Sequence, residues 1–111
     1  MNKYGARKTR CNHNHLHDSM KEAYRCNDLY LLQQAGEISK LKQQPRFVLQ
    51  KSFKLGKKKI RKLEYVADFE YIENGVRTIE DVKGRLTAVY KLKKKLFMYK
   101  YRNKKWRFAE T

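Results

Sequence analysis

Two aspartates and a lysine flank a predicted β-hairpin at a spacing that could build a metal site. The sequence VADFEYIENGVRTIEDVKG carries Asn74-Gly75 between two runs rich in β-branched and aromatic residues. That dipeptide favours a two-residue type I′ turn, because both residues tolerate a positive φ. The turn fixes the strand register. It places Asp68 opposite Asp81, with Lys83 further along on the same face.

Opposed carboxylates are unfavourable unless something compensates their charge. At about 4 Å and an effective dielectric of ~20, two unit charges repel by about 4 kcal/mol. A divalent cation would reverse that sign, since carboxylate oxygens are preferred ligands of Mg²⁺ and Mn²⁺. The alternative is that Asp68 and Asp81 are solvated edge residues and Lys83 is a surface lysine. Glu22 either closes a capping box with Ser19 or supplies a third carboxylate to the same metal.

A second group of metal-ligating types lies near the N-terminus. The segment CNHNHLHD at 11–18 holds all three histidines and one of the two cysteines. Two cysteines and two histidines suffice for tetrahedral zinc. The preferred ligand set is Cys11, His15, His17 and Cys26. The alternative is a surface histidine cluster with a packed Cys26. Residues 1–18 are therefore predicted to form a basic arm followed by a Cys/His segment.

The elements that would position these residues follow the order helix, three strands, helix, strand. The predicted ranges are a helix at 19–35, strands at 46–54, 60–73 and 76–83, a helix at 88–100 and a strand at 105–109. The three strands are expected to form a meander, and 37–45 to be a connection. The fold class is α/β (α+β), and 111 residues leave room for one domain, 1–111.

Helical spacing predicts the buried side of each helix. On the first helix the predicted, mostly apolar stripe is Ala23, Tyr24, Asp28, Leu31, Leu32 and Ala35, and Gly36 follows as the C′ residue. On the second helix it consists of Val89, Leu92, Leu96 and Tyr99, after Thr87 as the N-cap.

The charge of the chain predicts a polyanionic partner. There are 28 Lys and Arg against 11 Asp and Glu, a formal net charge of +17. Nucleic acid is the first candidate and an anionic membrane surface the second. No apolar run is long enough to span a bilayer and no signal peptide is evident, so a cytoplasmic protein with reduced cysteines is expected. The candidate contacts to nucleic acid are Arg7, Arg10, Gln44, Lys91, Lys94 and Lys95.

The acidic pattern resembles the signature of the PD-(D/E)XK nuclease superfamily. That signature is an acid on one strand, then an acid, any residue and lysine on the next. Here Asp68 in VADF and Asp81-Val82-Lys83 in EDVKG match it, and Glu22 matches a glutamate that the family often has on its first core helix. Ala67 departs from the proline of the motif. Glu80 precedes Asp81, but both pairing and the spacing to the lysine select Asp81.

The chain also resembles a family of small phage and prophage proteins of unassigned function, often regarded as Holliday-junction-resolvase-like. The matching stretches are KYGARKT, HDSMKEAYRC, LLQQAGEI, QPRFVLQ, YVADFEY and EDVKG, covering about residues 3 to 100. The resemblance implies a restriction-endonuclease-like core, in which a central mixed sheet is flanked by helices. Some members of that family share the Cys/His cluster.

The expected function is metal-dependent endonucleolytic cleavage of branched DNA. Asp68, Asp81 and the carbonyl of Val82 would bind Mg²⁺ or Mn²⁺, with Glu22 completing the site, and Lys83 would position the attacking water. Junction resolvases of this superfamily act as dimers, so a homodimer is an option. The alternatives are a non-catalytic nucleic-acid-binding accessory protein and a basic ribosomal or RNA-associated protein.

Overall fold

A four-stranded mixed sheet with one helix on each face forms the centre of the fold. The computed structural model describes residues 9–10, 16–17, 20–82 and 87–111. Its elements, in chain order, are β1 Thr9–Arg10, β2 Leu16–His17, α1 Met20–Gln34, β3 Ile38–Gln43, β4 Arg46–Gln50, β5 Phe53–Leu55, β6 Lys58–Ile60, β7 Leu63–Val66, β8 Phe69–Glu73, β9 Val76–Asp81, α2 Ala88–Lys100 and β10 Arg107–Glu110. The fold class is therefore α+β, as expected. Neither helix in the described ranges is long and apolar enough to cross a membrane.

The central sheet has the strand order β10-β9-β8-β3, and only the β9–β10 pair is parallel. The β8–β9 hairpin has the predicted turn. Asn74 and Gly75 have φ values of 52° and 77°, as a type I′ turn requires. The register also matches the prediction from Glu73–Val76 to Phe69–Glu80. The paired ladder ends there, one residue short of the expected Asp68–Asp81 pair.

The predicted meander has the right antiparallel neighbours, since β4 pairs with β7 and β8 with β9, but it is not one continuous sheet. Residues 38–43, predicted as a connection, form β3 and pair with β8. The predicted strand 46–54 divides into β4 and β5, and 60–73 divides into β6, β7 and β8. The reason is a change of partner at the Ala67-Asp68 bend. The N–H of Ala67 donates to Pro45, whereas that of Asp68 donates to Glu80 in β9.

Helix α1 ends where predicted, but of its predicted stripe only Ala23 is buried. Gly36 has φ 80°, and the N–H of Glu37 donates to the carbonyl of Leu32 at 2.9 Å, which is the Schellman arrangement. Predicted core residues Tyr24 and Leu31 are exposed. The buried apolar residues are Ala23, Cys26 and Leu29, which join Ile38, Phe69 and Tyr71 in a cluster on one face of the sheet.

Helix α2 has the predicted bounds, and Thr87 caps it by accepting the N–H of Tyr90 at 3.1 Å. Its predicted apolar stripe, however, is exposed along its whole length, at Val89, Leu92, Leu96 and Tyr99. Phe97 is buried instead. It lies 4.6 Å from Phe47 and 4.7 Å from Tyr65 between ring centroids. The helix docks on the second face of the sheet through an aromatic cluster, because β4 and β7 present aromatic rings there.

Candidate active site

The carboxylate of Asp81 is buried at the end of β9, on the sheet face that α2 covers. Only 4% of Asp81 is exposed. Its Oδ2 accepts hydrogen bonds from the hydroxyls of Tyr65 and Tyr90, the latter at 2.9 Å. The Nζ of Lys94 lies 3.6 Å from the same oxygen. One buried oxygen therefore receives two phenol hydroxyls and one ammonium group.

Local structure on α2 fixes two of these donors. The N-cap at Thr87 sets the first turn and with it the position of Tyr90. Lys94 follows four residues later, so both side chains lie on one side of the helix. Lys94 also pairs with Glu110 of β10, and only 14% of its side chain is exposed. The ammonium therefore bridges two carboxylates at the edge of the site.

Burial has the largest effect on the pKa values of Asp81 and Tyr90. It raises the pKa of the Asp81 carboxyl above its ordinary value, against the opposing effects of the Tyr90 hydrogen bond and the Lys94 charge. Burial and the neighbouring Asp81 charge raise the pKa of the Tyr90 phenol well above its ordinary value, so Tyr90 stays protonated and donates. The site thus holds an acid that its surroundings only partly stabilise as an anion.

Asp68 closes the end of the β8–β9 ladder. Its Oδ2 accepts the N–H of Val82 at 2.7 Å. Its own N–H donates to the carbonyl of Glu80 at 3.2 Å, and its carbonyl accepts the N–H of Gln44 at 2.9 Å. The first contact holds the Asp68 carboxylate against the residue that follows Asp81, and the other two fix the Asp68 backbone. The two acids therefore share one strand end, although they are not a ladder pair.

Glu80 lies on the opposite face of the sheet and has a different role. It is fully buried, and Arg25 of α1 donates to both of its oxygens, from Nε at 2.6 Å and Nη2 at 2.9 Å. The hydroxyls of Tyr71 and Thr111 add bonds of 2.6 and 3.1 Å. A bidentate arginine and two hydroxyls satisfy this carboxylate within the fold. Its surroundings favour the choice of Asp81 over Glu80 as the site acid.

The donor set suits a hard divalent cation. Asp68 and Asp81 offer carboxylate oxygens and Val82 a backbone carbonyl, all of the type that Mg²⁺ prefers, and Mg²⁺ commonly keeps several waters. Among the side chains of 20–82 and 87–111, no group of three or more His, Cys, Asp or Glu residues lies close enough together to hold a metal. Glu22 is buried on α1, the helix on the other face of the sheet. It forms no such group with Asp68 and Asp81, so its part in the site, directly or through water, stays a prediction.

Comparison with known proteins places the chain in a family. Residues 1–110 match the family model described as "Protein of unknown function (DUF1064)". The chain belongs to the DUF1064 family. No curated protein matches it, and no solved structure matches it.

Several predicted site residues of this DUF1064 chain lie outside the described residues or are described only in their backbone. The first group is Arg7, Cys11, His15 and Lys83, and the second is Arg10 and His17. Cys26, the fourth predicted zinc ligand, is buried in the α1 cluster, and the amide of Gln43 donates to its Sγ at 3.4 Å. The zinc site stays a prediction.

The predicted nucleic-acid contacts of the DUF1064 chain separate into two kinds. Gln44, Lys91 and Lys95 are exposed. Lys94 differs from the prediction, because its ammonium turns inward to Asp81 and Glu110 rather than outward to solvent. Its charge belongs to the site and not to the outer surface of α2.

Three residues of the site were missed by sequence reasoning. Tyr65 and Tyr90 lie within a predicted strand and a predicted helix but were assigned no role, and Glu110 lies beyond the predicted last strand. The spacing Thr87-Tyr90-Lys94 was the available signal, because an N-cap followed by residues at i+3 and i+7 places the latter two on one helical face. The parallel pairing of β10 with β9, which brings Glu110 opposite Asp81, has no local signal.

Proposed function

We propose that this chain is a metal-dependent endonuclease that acts on DNA, with branched DNA as its preferred substrate. The observation that carries the proposal is the Asp81 carboxylate, buried at a strand end beside Asp68 and contacted by the ammonium of Lys94. A buried acid with a perturbed pKa, next to a second acid and a lysine, is typical of a functional site.

A purely structural role explains Asp81 poorly. The adjacent Glu80 shows how this fold stabilises a structural carboxylate, through both nitrogens of an arginine fork. Asp81 has instead two neutral hydroxyls and one ammonium that it shares with Glu110. Burial still raises its pKa. Natural proteins keep such partly compensated charges where function requires them.

Each residue of the candidate site would have a distinct role in phosphodiester hydrolysis. Asp68 and Asp81, with the carbonyl of Val82, would hold Mg²⁺ or Mn²⁺, and Glu22 would contact the site through water. The ion, when bound, acts as a Lewis acid toward the phosphate and makes a bound water more acidic. Tyr65 and Tyr90 orient the Asp81 carboxylate.

A lysine at the site would act on the attacking water and the phosphate. Lys83 is the residue in the motif position, and it would position that water and offset charge that develops on the phosphate. Lys94 is the ammonium that the structure places 3.6 Å from Asp81. The proposal therefore includes two lysines, one from the motif that follows β9 and one from α2.

The charge of the chain supports a nucleic-acid substrate. At +17, binding should rest mainly on phosphate contacts and should weaken steeply with salt. Symmetric cleavage of a four-way junction needs two sites, so a homodimer on the junction is part of the proposal. A structural zinc bound by Cys11, His15, His17 and Cys26 is proposed from the same resemblance.

Cleavage of defined substrates tests the proposal. A synthetic four-way junction, a matching linear duplex and a single strand are incubated with protein and Mg²⁺ or Mn²⁺, and the products are mapped on denaturing gels. We expect paired, symmetric cuts in the junction, at least about tenfold faster than cuts in the duplex, and none in EDTA. Equal cutting of all three would indicate a general nuclease and overturn the junction preference.

A non-catalytic accessory protein that binds nucleic acid is the second candidate. The observation that favours it is that the described side chains assemble no group of three metal-ligating residues. Salt-sensitive binding of the junction without cleavage of any substrate, in either metal, would select this candidate.

A further inference from the structure

A second surface, distant in sequence from the acids, is strongly basic. Residues 51–62, KSFKLGKKKIRK, form the β5–β6 hairpin with its flanks, and we call this segment the basic hairpin. Seven of its twelve residues are Lys or Arg and none is acidic. Gly56 has φ 63° and Lys57 has no positive φ, which suits a two-residue turn with glycine first. The strand pairing is therefore well defined.

The basic hairpin packs on no other described helix or strand. β5 and β6 contact each other and none of the remaining elements. Every residue from 51 to 59 is exposed, including Phe53 at 44% and Leu55 at 69%. Among the described residues, Lys62 is the one cation of this segment with a carboxylate nearby, at 3.5 Å from Glu64. A two-stranded hairpin that stands alone is only marginally stable in water.

The register of the basic hairpin opposes like charges. Lys54 pairs directly with Lys59, an arrangement that destabilises a sheet. Leu55 pairs with Lys58 and Phe53 with Ile60, so the other face carries three apolar side chains and one lysine. Nothing within the described residues compensates this charge. An external polyanion would compensate this charge, and it would also cover the exposed apolar side chains.

We propose that the basic hairpin enters a groove of duplex nucleic acid and binds the phosphates on both sides of it. The major groove of B-form DNA is wide enough for a two-stranded β-ribbon. Cations on both faces and at the turn suit a ligand that surrounds the ribbon with phosphates. A membrane surface meets one face only and would leave Lys54 and Lys59, or Lys58, unpaired.

This inference goes beyond the proposed nuclease activity, since binding through the hairpin needs neither a metal nor Asp81. It assigns a docking surface that the sequence analysis did not identify. A duplex of A-form RNA has a deep, narrow major groove that a ribbon cannot enter. DNA duplex is therefore expected to bind more tightly than RNA duplex of the same sequence.

A charge-matched pair of variants tests the proposal. The hairpin variant carries Gln at Lys54, Lys57, Lys58 and Lys59. The control carries Gln at four other exposed lysines, Lys21, Lys40, Lys104 and Lys105. Binding of a short fluorescent DNA duplex is measured by anisotropy in EDTA over a range of salt concentrations, so cleavage does not enter. Melting temperatures verify folding, and the hairpin variant should match the wild type because the segment packs on no other helix or strand that the structure describes.

We expect the hairpin variant to lose about 30-fold or more in DNA affinity and its salt slope to fall by about 3, while the control loses less than about threefold. Equal losses in the two variants would overturn the proposal, because they would reflect net charge alone. A hairpin variant that binds DNA normally but no longer binds anionic phospholipid vesicles would also overturn it, in favour of a membrane partner. If the protein proved not to be a nuclease, the expected DNA affinities of the hairpin variant and the control would be unchanged, because both are measured in EDTA.

Discussion

Asp81→Asn is expected to lower metal-dependent cleavage by about 10³-fold or more while DNA affinity stays equal to or above that of the wild type. Asparagine has the same shape as aspartate, and its side-chain oxygen can still accept hydrogen bonds from the hydroxyls of Tyr65 and Tyr90. The local structure should therefore persist. What is lost is a negative charge and a preferred metal ligand. Removing that charge beside a phosphate should help binding. Initial cleavage rates and anisotropy titrations on the same junction measure both effects.

Glu73→Gln is the matched control for this variant. Glu73 lies on the same hairpin at the turn end, where it pairs with Arg107 at 2.7 Å on the surface. The substitution removes the same charge away from the site, and exposed ion pairs contribute little to stability. We expect its cleavage rate to remain within about twofold of the wild type. Equal cleavage by Asp81→Asn and the wild type would show that Asp81 is not at the catalytic centre.

The two neighbouring acids are expected to affect stability in opposite directions. Glu80→Gln breaks the bidentate contact with Arg25 and should lower the free energy of unfolding by about 2–3 kcal/mol, a fall of roughly 10 °C in melting temperature. The expected loss is below that for a fully buried pair because 27% of the Arg25 side chain is exposed. Asp81→Asn should raise the melting temperature by several degrees in EDTA.

The pH dependence of stability tests the prediction for Asp81→Asn. Because the folded-state pKa of Asp81 is raised, the protein favours its protonated form. The contribution of Asp81 to stability is therefore fully present below its ordinary pKa and is lost as pH rises through the raised pKa. The advantage of Asp81→Asn should be greatest at neutral pH and should vanish at pH values well below the ordinary pKa of an aspartate. Thermal melts across that range, with chelator present, check this; an advantage that persists unchanged at acid pH would contradict the raised pKa.

Local chemistry predicted part of the fold well. Asn74-Gly75 specified both the turn and the register of β8–β9, because the turn type leaves one pairing. Thr87 specified the start of α2, and Gly36 specified the end of α1. The edge strand β3 was missed because only Ile38 in it is fully buried, so its sequence shows no clear alternation. Tertiary pairing, not local preference, makes that segment a strand.

The apolar stripe of α2 shows a second limit of sequence reasoning. Val89, Leu92, Leu96 and Tyr99 repeat at helical spacing, yet they face outward. The aromatic rings of Phe47, Tyr65 and Trp106 provide the surface on which α2 docks, and that surface arises only when distant strands come together. Helical periodicity identifies a face, but the shape of the partner decides which face is buried.

The placement of Asp68 and Asp81 at the same end of the β8–β9 hairpin was predictable from the sequence, but the groups around them were not. Strand alternation and the spacing to Lys83 selected Asp81 rather than Glu80, and the Arg25 partner of Glu80 supports that choice. The inward turn of Lys94 depends on Glu110, which reaches the site through the parallel β10 strand. A nonlocal strand pairing of this kind has no signature in the sequence of α2.

Isothermal titration calorimetry of Mg²⁺ and Mn²⁺ into the apo protein, without DNA, tests whether Asp81 is a ligand of the metal. We expect saturable binding by the wild type and by Glu73→Gln, and none by Asp81→Asn. Lys94→Gln should bind at least as tightly as the wild type, because an ammonium 3.6 Å from Oδ2 of Asp81 no longer competes. Identical binding by the wild type and Asp81→Asn, or none by the wild type in either metal, would contradict the account.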